Sequence, residues 1–97
     1  MIFLFPVAQL KELQTRYDVI ADVRGSGLFF GVELWRDGKP ATEICSAMID
    51  EMRNRGVLLH SEGRHDNTLK IRPPCVFSRA NADRLAETLD AALEALK

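Results

Sequence analysis

The chain has 97 residues, of which 46% are hydrophobic and 28% are charged, a composition typical of one small globular domain rather than of a disordered or membrane-spanning chain. Its 13 Lys and Arg are balanced by 14 Asp and Glu, and the net charge of −1 provides no broad positive field for nucleic acid or anionic lipid. We therefore expect neither nucleic acid nor a membrane as a partner, and little room for a deep pocket beside the core.

The first predicted element is an amphipathic helix over residues 7–17. Val7, Leu10 and Leu13 recur there at helical spacing, and Pro6 suits the first turn. The apolar run 1–6 that precedes the helix lacks a basic flank and is far shorter than the roughly 20 residues that cross a bilayer. This run predicts neither a signal peptide nor a membrane anchor.

Two runs rich in β-branched and aromatic residues follow, at 19–24 and 28–35, and they predict a hairpin or a sharply bulged pair of strands. We expect the Gly25-Ser26-Gly27 segment between them to be a turn with positive φ. The second run is apolar on both faces and contains Gly31. It favours a central strand, which ends at the turn residues 37–40.

A second helix is predicted from Thr42, whose hydroxyl can cap it, to Arg55. Gly56 is placed to end this helix in a left-handed conformation. A short strand at 57–60 and a polar loop at 61–67 are predicted next.

A further strand at 68–72 is stopped by Pro73 and Pro74, because neither proline can donate a ladder hydrogen bond. Ser78 can cap a last helix. The apolar stripe of that helix is formed by Ala82, Leu85, Ala86, Leu89, Ala92, Leu93 and Leu96. The order α-β-β-α-β-β-α predicts an α+β fold with a three- to four-stranded, mainly antiparallel sheet packed against helices on one side.

Most groups that could carry chemistry favour structural roles. Gly25-Ser26-Gly27 is not a dinucleotide-binding loop, because Phe30 occupies the position of the required third glycine and a strand follows instead of a helix. His60, at the end of the predicted strand, and His65, in the loop, lack the spacing of a metal site and are expected to be ordinary polar residues. The two cysteines form no CxxC pair, so we expect reduced, buried thiols in a cytoplasmic protein.

The strand end at Lys70 and Arg72 is the strongest candidate binding site. Strand alternation projects both cations to one side and Leu69 and Ile71 to the other. Two like charges on one face require neutralisation, either by local Asp or Glu side chains or by a bound carboxylate or phosphate. Both interpretations stay open on the residues alone.

Three segments resemble, in order and spacing, the C-terminal small domain of the class III, ornithine-aminotransferase-like, pyridoxal-phosphate aminotransferases. They are Asp22 to Leu34, Arg55 to Leu59, and Leu69 to Pro74, the last one before a final helix. The resemblance covers residues 7–97. It implies that the chain is the small domain of a larger parent enzyme, a homodimer that uses an amino donor and a keto acceptor.

In this family the Schiff-base lysine, the aspartate at the pyridine nitrogen and the phosphate-binding groups belong to the large domain. None of the four lysines, Lys11, Lys39, Lys70 and Lys97, matches the cofactor-lysine motif. The resemblance therefore implies pyridoxal phosphate in the parent enzyme, and we expect this chain alone neither to bind it stably nor to transaminate.

Many family members place an arginine three residues before the first proline, where it binds the substrate α-carboxylate. Lys70 stands at that position here, and lysine offers a point charge instead of a planar fork. The variant is more similar to the branch that includes alanine-glyoxylate aminotransferase 2-like proteins and ethanolamine-phosphate phospho-lyases. The resemblance thus implies substrate-binding roles for Lys70 and Arg72, with phosphorylated amino alcohols as alternative substrates.

Two rival interpretations lie outside this reading. The chain could be a free-standing α+β module that binds a small anion or forms a dimer through its sheet. It could also be a truncated product without function, which would aggregate or be proteolysed readily.

Overall fold

A computed structural model describes residues 4–25, 29–72 and 79–96, and of residues 4–6 it describes the backbone. The described residues form three helices and five strands: α1 (Leu4–Arg16), β1 (Ile20–Gly25), β2 (Phe30–Arg36), β3 (Lys39–Pro40), α2 (Thr42–Asn54), β4 (His60–Glu62), β5 (Thr68–Ile71) and α3 (Arg79–Ala95). The strands pair in the order β1-β2-β5-β4, with β3 against β2, and every pairing is antiparallel. The predicted α+β fold is confirmed, with the short β3 as an addition.

The predicted hairpin is β1 with β2, and its register shifts between Ile20 and Asp22 as expected for a bulge. Gly25 is the last residue of β1 and does not have positive φ. A Cβ at this position would lie 2.7 Å from Cγ2 of Val7 in α1. The predicted turn is therefore wrong at Gly25, where the small residue serves close helix packing, while Ser26 and Gly27 lie outside the described residues.

The central strand β2 turns directly into β3. Asp37 and Gly38 both have positive φ, 54° and 75°, as a two-residue type I′ hairpin requires. Trp35 then pairs with Pro40, and Arg36 pairs with Lys39. The predicted turn is confirmed, and it carries a short strand that the sequence analysis did not include.

Helix α2 begins without the predicted cap. Ala41 occupies the N-cap position, where no side chain supplies a capping hydrogen bond, and the Thr42 hydroxyl donates to the carbonyl oxygen of His65 at 2.6 Å. Thr42 thus ties the helix to a turn distant in sequence. The end of the helix is as predicted, because Gly56 has φ +89°.

The fourth strand lies later than predicted. It spans His60–Glu62, so the predicted strand at 57–60 and loop at 61–67 are both wrong at their boundary. The strand pairs with β5. The residues before it connect α2 to the sheet, and of these Leu59 is buried whereas Leu58 is 77% exposed. The predicted cap Ser78 lies outside the described residues.

The helices cover one face of the sheet. Helix α1 contacts β1, α2 contacts β2, β4 and β5, and α3 contacts both other helices. The core joins the covered face of the sheet to the helices through Val23, Val32, Leu69, Ile71, Leu10, Met48, Met52, Leu85 and Leu89. Each such burial contributes about 1.5–3 kcal/mol relative to exposure. None of the helices in the described part of the chain has the length and hydropathy to cross a bilayer.

A polar seam joins α1 to α3. The Tyr17 hydroxyl donates to Oε2 of Glu94 at 2.8 Å and also contacts a carboxylate oxygen of Asp90, and Nη2 of Arg16 lies 3.1 Å from the second Asp90 oxygen. The hydrogen bond to Asp90, with burial next, raises the pKa of Tyr17. The same bond holds the pKa of Asp90 below its usual range.

Asn67 is a buried polar residue that extends the pairing of β2 with β5. The backbone N–H of Leu34 donates to the Asn67 carbonyl at 2.8 Å, and Nδ2 of Asn67 donates to the Leu34 carbonyl at 2.8 Å. Asn67 thereby bonds to both backbone polar groups of Leu34, whose carbonyl also accepts from the N–H of Ala41 at 3.0 Å.

Candidate functional site

The face of the sheet opposite the core carries two rows of polar side chains that run across the strands. Cross-strand partners lie on the same face, as do alternate residues of one strand. The basic row consists of Arg24, Gly31, Lys70 and His60 on β1, β2, β5 and β4. The acidic row beside it consists of Asp22, Glu33, Thr68 and Glu62.

Lys70 is the most enclosed cation of the basic row. Its Nζ lies 2.7 Å from Oε1 of Glu62 and 4.5 Å from the ring centroid of Phe29, and its side chain is 17% exposed. The ion pair and the cation–π contact hold the ammonium on the polar face. One expected neutralising group, a local carboxylate, is therefore present as Glu62.

Arg72 follows β5 by one residue and is exposed. Leu69 and Ile71 are buried, which confirms the predicted alternation along this strand. Within the described ranges no residue forms an ion pair with Arg72. The end of β5 therefore combines two cations with one carboxylate.

At the opposite end of the polar face, negative charges outnumber positive ones. Nη1 of Arg24 lies 2.6 Å from Oδ2 of Asp22 and 2.8 Å from Oε1 of Glu33, whose other oxygen accepts a hydrogen bond from the Trp35 indole. Arg24, followed by Trp35, holds the pKa of Glu33 below its usual range. We call these four residues the Arg24 cluster; it has one cation and two carboxylates.

The middle of the basic row has no side chain, because Gly31 occupies that position. A Cβ at Gly31 would lie 3.3 Å from Cγ2 of Thr68 and 3.9 Å from Nη2 of Arg24. The predicted close packing at this glycine is confirmed: Gly31 is buried beside Thr68 and separates the two ends of the row without a side chain.

The two histidines have separate surroundings. His60, predicted as the last residue of a strand, is the first residue of β4 and lies directly opposite Lys70. His65 lies in the following turn, with its ring edge-on to Trp35 at a centroid distance of 6.3 Å. No group of three His, Cys, Asp or Glu among the described residues could hold a metal ion.

Cys45 is completely buried in the core, as predicted, and burial raises the pKa of its thiol to about 11. A thiol with so high a pKa is a poor nucleophile near neutral pH. Cys75 lies outside the described residues.

The described residues do not assemble a site for pyridoxal phosphate. A groove of about 390 Å³ beside Tyr17 and Trp35 and another of about 480 Å³ along α1 and α3 both lack a lysine. Of the lysines that the structure describes, Lys11 and Lys39 are exposed and Lys70 is paired with Glu62. Cofactor chemistry is accordingly assigned to none of them.

Sequence reasoning placed Lys70 and Arg72 on one side of a strand but missed their neighbours. Glu62 and His60 lie beside Lys70 only because β4 pairs with β5 in this register. The polar residues from His60 to Glu62 were the available signal, but the predicted strand ended at His60 and the residues after it were assigned to a loop.

Comparisons with known proteins converge on one family. The family model described as aminotransferase class-III matches residues 5–93. Alanine–glyoxylate aminotransferase 2 homolog 2, mitochondrial, of Arabidopsis thaliana is 40% identical over 85 residues, covering 84% of this chain and 18% of that protein. Ethanolamine-phosphate phospho-lyase homolog 1 of Caenorhabditis elegans is 38% identical over 88 residues, covering 87% and 19%.

Among solved structures, a phospholyase from Arthrobacter in complex with phosphoethanolamine superimposes with a TM-score of 0.89 at 38% identity. The match covers 96% of this chain and 23% of that chain. The chain thus spans about a fifth of the length of the relatives that it matches.

Proposed function

This chain belongs to the class III aminotransferase family, and from that membership we propose that it is the small C-terminal domain of a pyridoxal-phosphate enzyme that contacts the substrate through the end of β5. The length of the relatives supports the proposal, since the chain aligns with only 18% of the Arabidopsis protein and 19% of the C. elegans protein. In this proposal the large domain supplies the cofactor site, the enzyme is a cytoplasmic homodimer, and the 97-residue chain alone does not transaminate.

The position of Lys70 is the observation that carries the substrate-binding role. A lysine that is 17% exposed, on the polar face of the sheet and held by both Glu62 and Phe29, is fixed in place instead of moving in solvent. A fixed cation loses less conformational entropy when it binds an anion. With Arg72 it gives the end of β5 one excess positive charge, whereas the Arg24 cluster has one excess negative charge.

The test uses the complete, cofactor-loaded enzyme that contains this chain. Lys70→Met should reduce kcat/KM about 10- to 100-fold, as expected for loss of a charged hydrogen bond, and Lys70→Arg should retain part of the activity. Arg72→Gln should cause a smaller loss. The matched control is Lys39→Met, which removes an exposed lysine from β3 and should leave kcat/KM unchanged.

Unchanged kinetics in both Lys70→Met and Arg72→Gln would contradict the substrate-binding role. Turnover by the purified 97-residue chain, with a Schiff-base absorbance band, would contradict the need for a large domain. A melting temperature close to that of the parent protein would show that a kinetic loss in Lys70→Met comes from the site.

A second candidate function is elimination of phosphate from a phosphorylated amino alcohol. It is favoured by the similarity to the Arthrobacter phospholyase that binds phosphoethanolamine and to the C. elegans phospho-lyase homolog. Incubation of the complete enzyme with phosphoethanolamine should then consume one water and release inorganic phosphate, ammonia and acetaldehyde. Amino transfer from an amino acid to glyoxylate, without phosphate release, would favour the transaminase instead.

A further inference from the structure

The residue opposite Lys70 in the sheet is His60. Directly opposed residues of antiparallel strands have Cβ atoms about 4.5–5.5 Å apart on the same face, and His60 pairs with Lys70 in the ladder between β4 and β5. His60 is exposed, and Glu62 lies two residues along β4 on that same face. Lys70 therefore shares the polar face with a carboxylate and an imidazole of the same neighbouring strand, the imidazole directly opposite it and the carboxylate two pairs further along.

His60, Lys70 and Glu62 together have more hydrogen-bond donors than are used within the group. An ammonium has three N–H donors, of which Glu62 accepts one, and an imidazole ring offers a further N–H. None of the described residues accepts a hydrogen bond from His60. The donors of two neighbouring strands are thus available to one acceptor group that approaches the polar face.

On the basis of the proposed function, we propose that His60 and Lys70 together bind the anionic group of the substrate and that Glu62 sets the strength of this binding. The ligand is a group with several anionic oxygens, a phosphate or a carboxylate, which can accept from an ammonium and an imidazole at once. Glu62 keeps Lys70 in position but also repels the incoming anion, because the carboxylate remains beside it.

A structural role for His60 is less consistent with its position. The His60 side chain is exposed and is not part of the hydrophobic core. Substitution of an exposed residue that does not pack in the core usually changes the free energy of unfolding by no more than about 0.5 kcal/mol. Removal of His60 should therefore affect ligand binding without unfolding the domain.

The experiment measures dissociation constants of three amines for the complete, cofactor-loaded enzyme by calorimetry. Phosphoethanolamine carries a phosphate, β-alanine carries a carboxylate, and propylamine carries no anionic group. His60→Leu should weaken binding of the recognised anionic amine about two- to ten-fold, the effect of one hydrogen bond, and leave propylamine unchanged. His60→Asn, which keeps an N–H donor, should restore part of the affinity.

Two further variants sharpen the test. Glu62→Gln should strengthen binding of the anionic amine, because it removes the repulsion while keeping a hydrogen-bond acceptor for Lys70. His65→Leu is the matched control, since this histidine contacts Trp35 in the next turn and should not affect any of the three amines. Selective loss for phosphoethanolamine identifies phosphate as the ligand group, and selective loss for β-alanine identifies carboxylate.

The failures of the two proposals differ. If Lys70→Met weakens binding and His60→Leu does not, the role of His60 is overturned while the proposed function stands. If His60→Leu weakens all three amines equally, its effect is not anion recognition and the inference is again overturned. If neither variant changes any dissociation constant, the proposed role of the β5 end fails together with it.

Discussion

The seam between α1 and α3 and the end of β5 both place a polar side chain against carboxylates, but they differ in what is left over. The Tyr17 hydroxyl has one proton, and carboxylates of both Asp90 and Glu94 are in reach to accept it. Lys70 has three protons, and Glu62 is its carboxylate partner. The seam has surplus acceptors, whereas the strand end has surplus donors.

This difference separates a structural cluster from the proposed binding site. The partners of Tyr17 lie 73 and 77 positions away along the chain, so the seam fixes two distant helices to each other. Glu62 lies only 8 positions from Lys70, on the neighbouring strand. The ion pair at the strand end adds little to the tertiary structure beyond what the strand ladder provides. The N–H groups of Lys70 that Glu62 does not occupy are the donors that the proposed function assigns to substrate binding.

The largest effect on stability is expected at the seam. Tyr17→Phe removes a hydroxyl hydrogen-bonded to charged groups and should lower the free energy of unfolding by about 1.5–3 kcal/mol. Lys70→Met should lower it by less than about 1 kcal/mol, as is usual for an ion pair near the surface. Urea denaturation of both variants measures the two values, and equal losses would remove the distinction between the regions.

Acid should weaken the seam specifically. The pKa of Asp90 is held below its usual range, chiefly by the hydrogen bond from Tyr17. A carboxyl whose pKa is depressed in the folded state stabilises above its unfolded pKa and loses that contribution as the pH falls through its folded pKa. The cost of Tyr17→Phe should therefore be largest at neutral pH and decrease below about pH 4. A cost independent of pH would show that Asp90 does not contribute through its charge.

A smaller effect is expected in the Arg24 cluster, which lies on the same sheet face as Lys70. Arg24→Met leaves the carboxylates of Asp22 and Glu33 without their cation and should cost at most about 1 kcal/mol. Because the cluster is exposed, about 1 M salt should reduce this cost. In the complete enzyme the variant should leave substrate affinity unchanged, and a loss comparable to that of Lys70→Met would extend the site across the whole basic row.

The smallest effect is expected at Gly31, between the two ends of the basic row. Gly31→Ala restricts the unfolded chain, which favours folding by about 0.4–1 kcal/mol, but the new Cβ would lie 3.3 Å from Cγ2 of Thr68. The two contributions oppose each other, so the net change should stay within about 0.5 kcal/mol. Thermal denaturation measures it, and a loss of several kcal/mol would show that Thr68 cannot move aside.

Local signals predicted much of this fold. The spacing of Leu85, Leu89 and Leu93 predicted the buried stripe of α3, and Gly56 predicted the left-handed end of α2. These features depend on residues within a few positions of one another. The alternation that placed Lys70 and Leu69 on opposite faces is of the same kind.

The errors involve partners distant in sequence. The hydroxyl of Thr42 bonds to the carbonyl of His65 instead of capping its own helix, and Gly25 is required by the approach of Val7. Neither contact can be read from adjacent residues. The neighbours of Lys70 were missed for the same reason, because the register of β4 with β5 decides which side chains share a face.

The double hydrogen bond between Asn67 and Leu34 bears directly on where Lys70 points. A strand of only four residues, Thr68–Ile71, has few ladder bonds to resist sliding past β2. A slip of one position would turn Lys70 into the core and expose Leu69 and Ile71, at about 1.5–3 kcal/mol for each side chain. Asn67, the residue just before β5, is bonded to Leu34 through both its main chain and its side chain. These two bonds fix the register of β5 against β2 and so keep the ammonium of Lys70 on the polar face of the sheet.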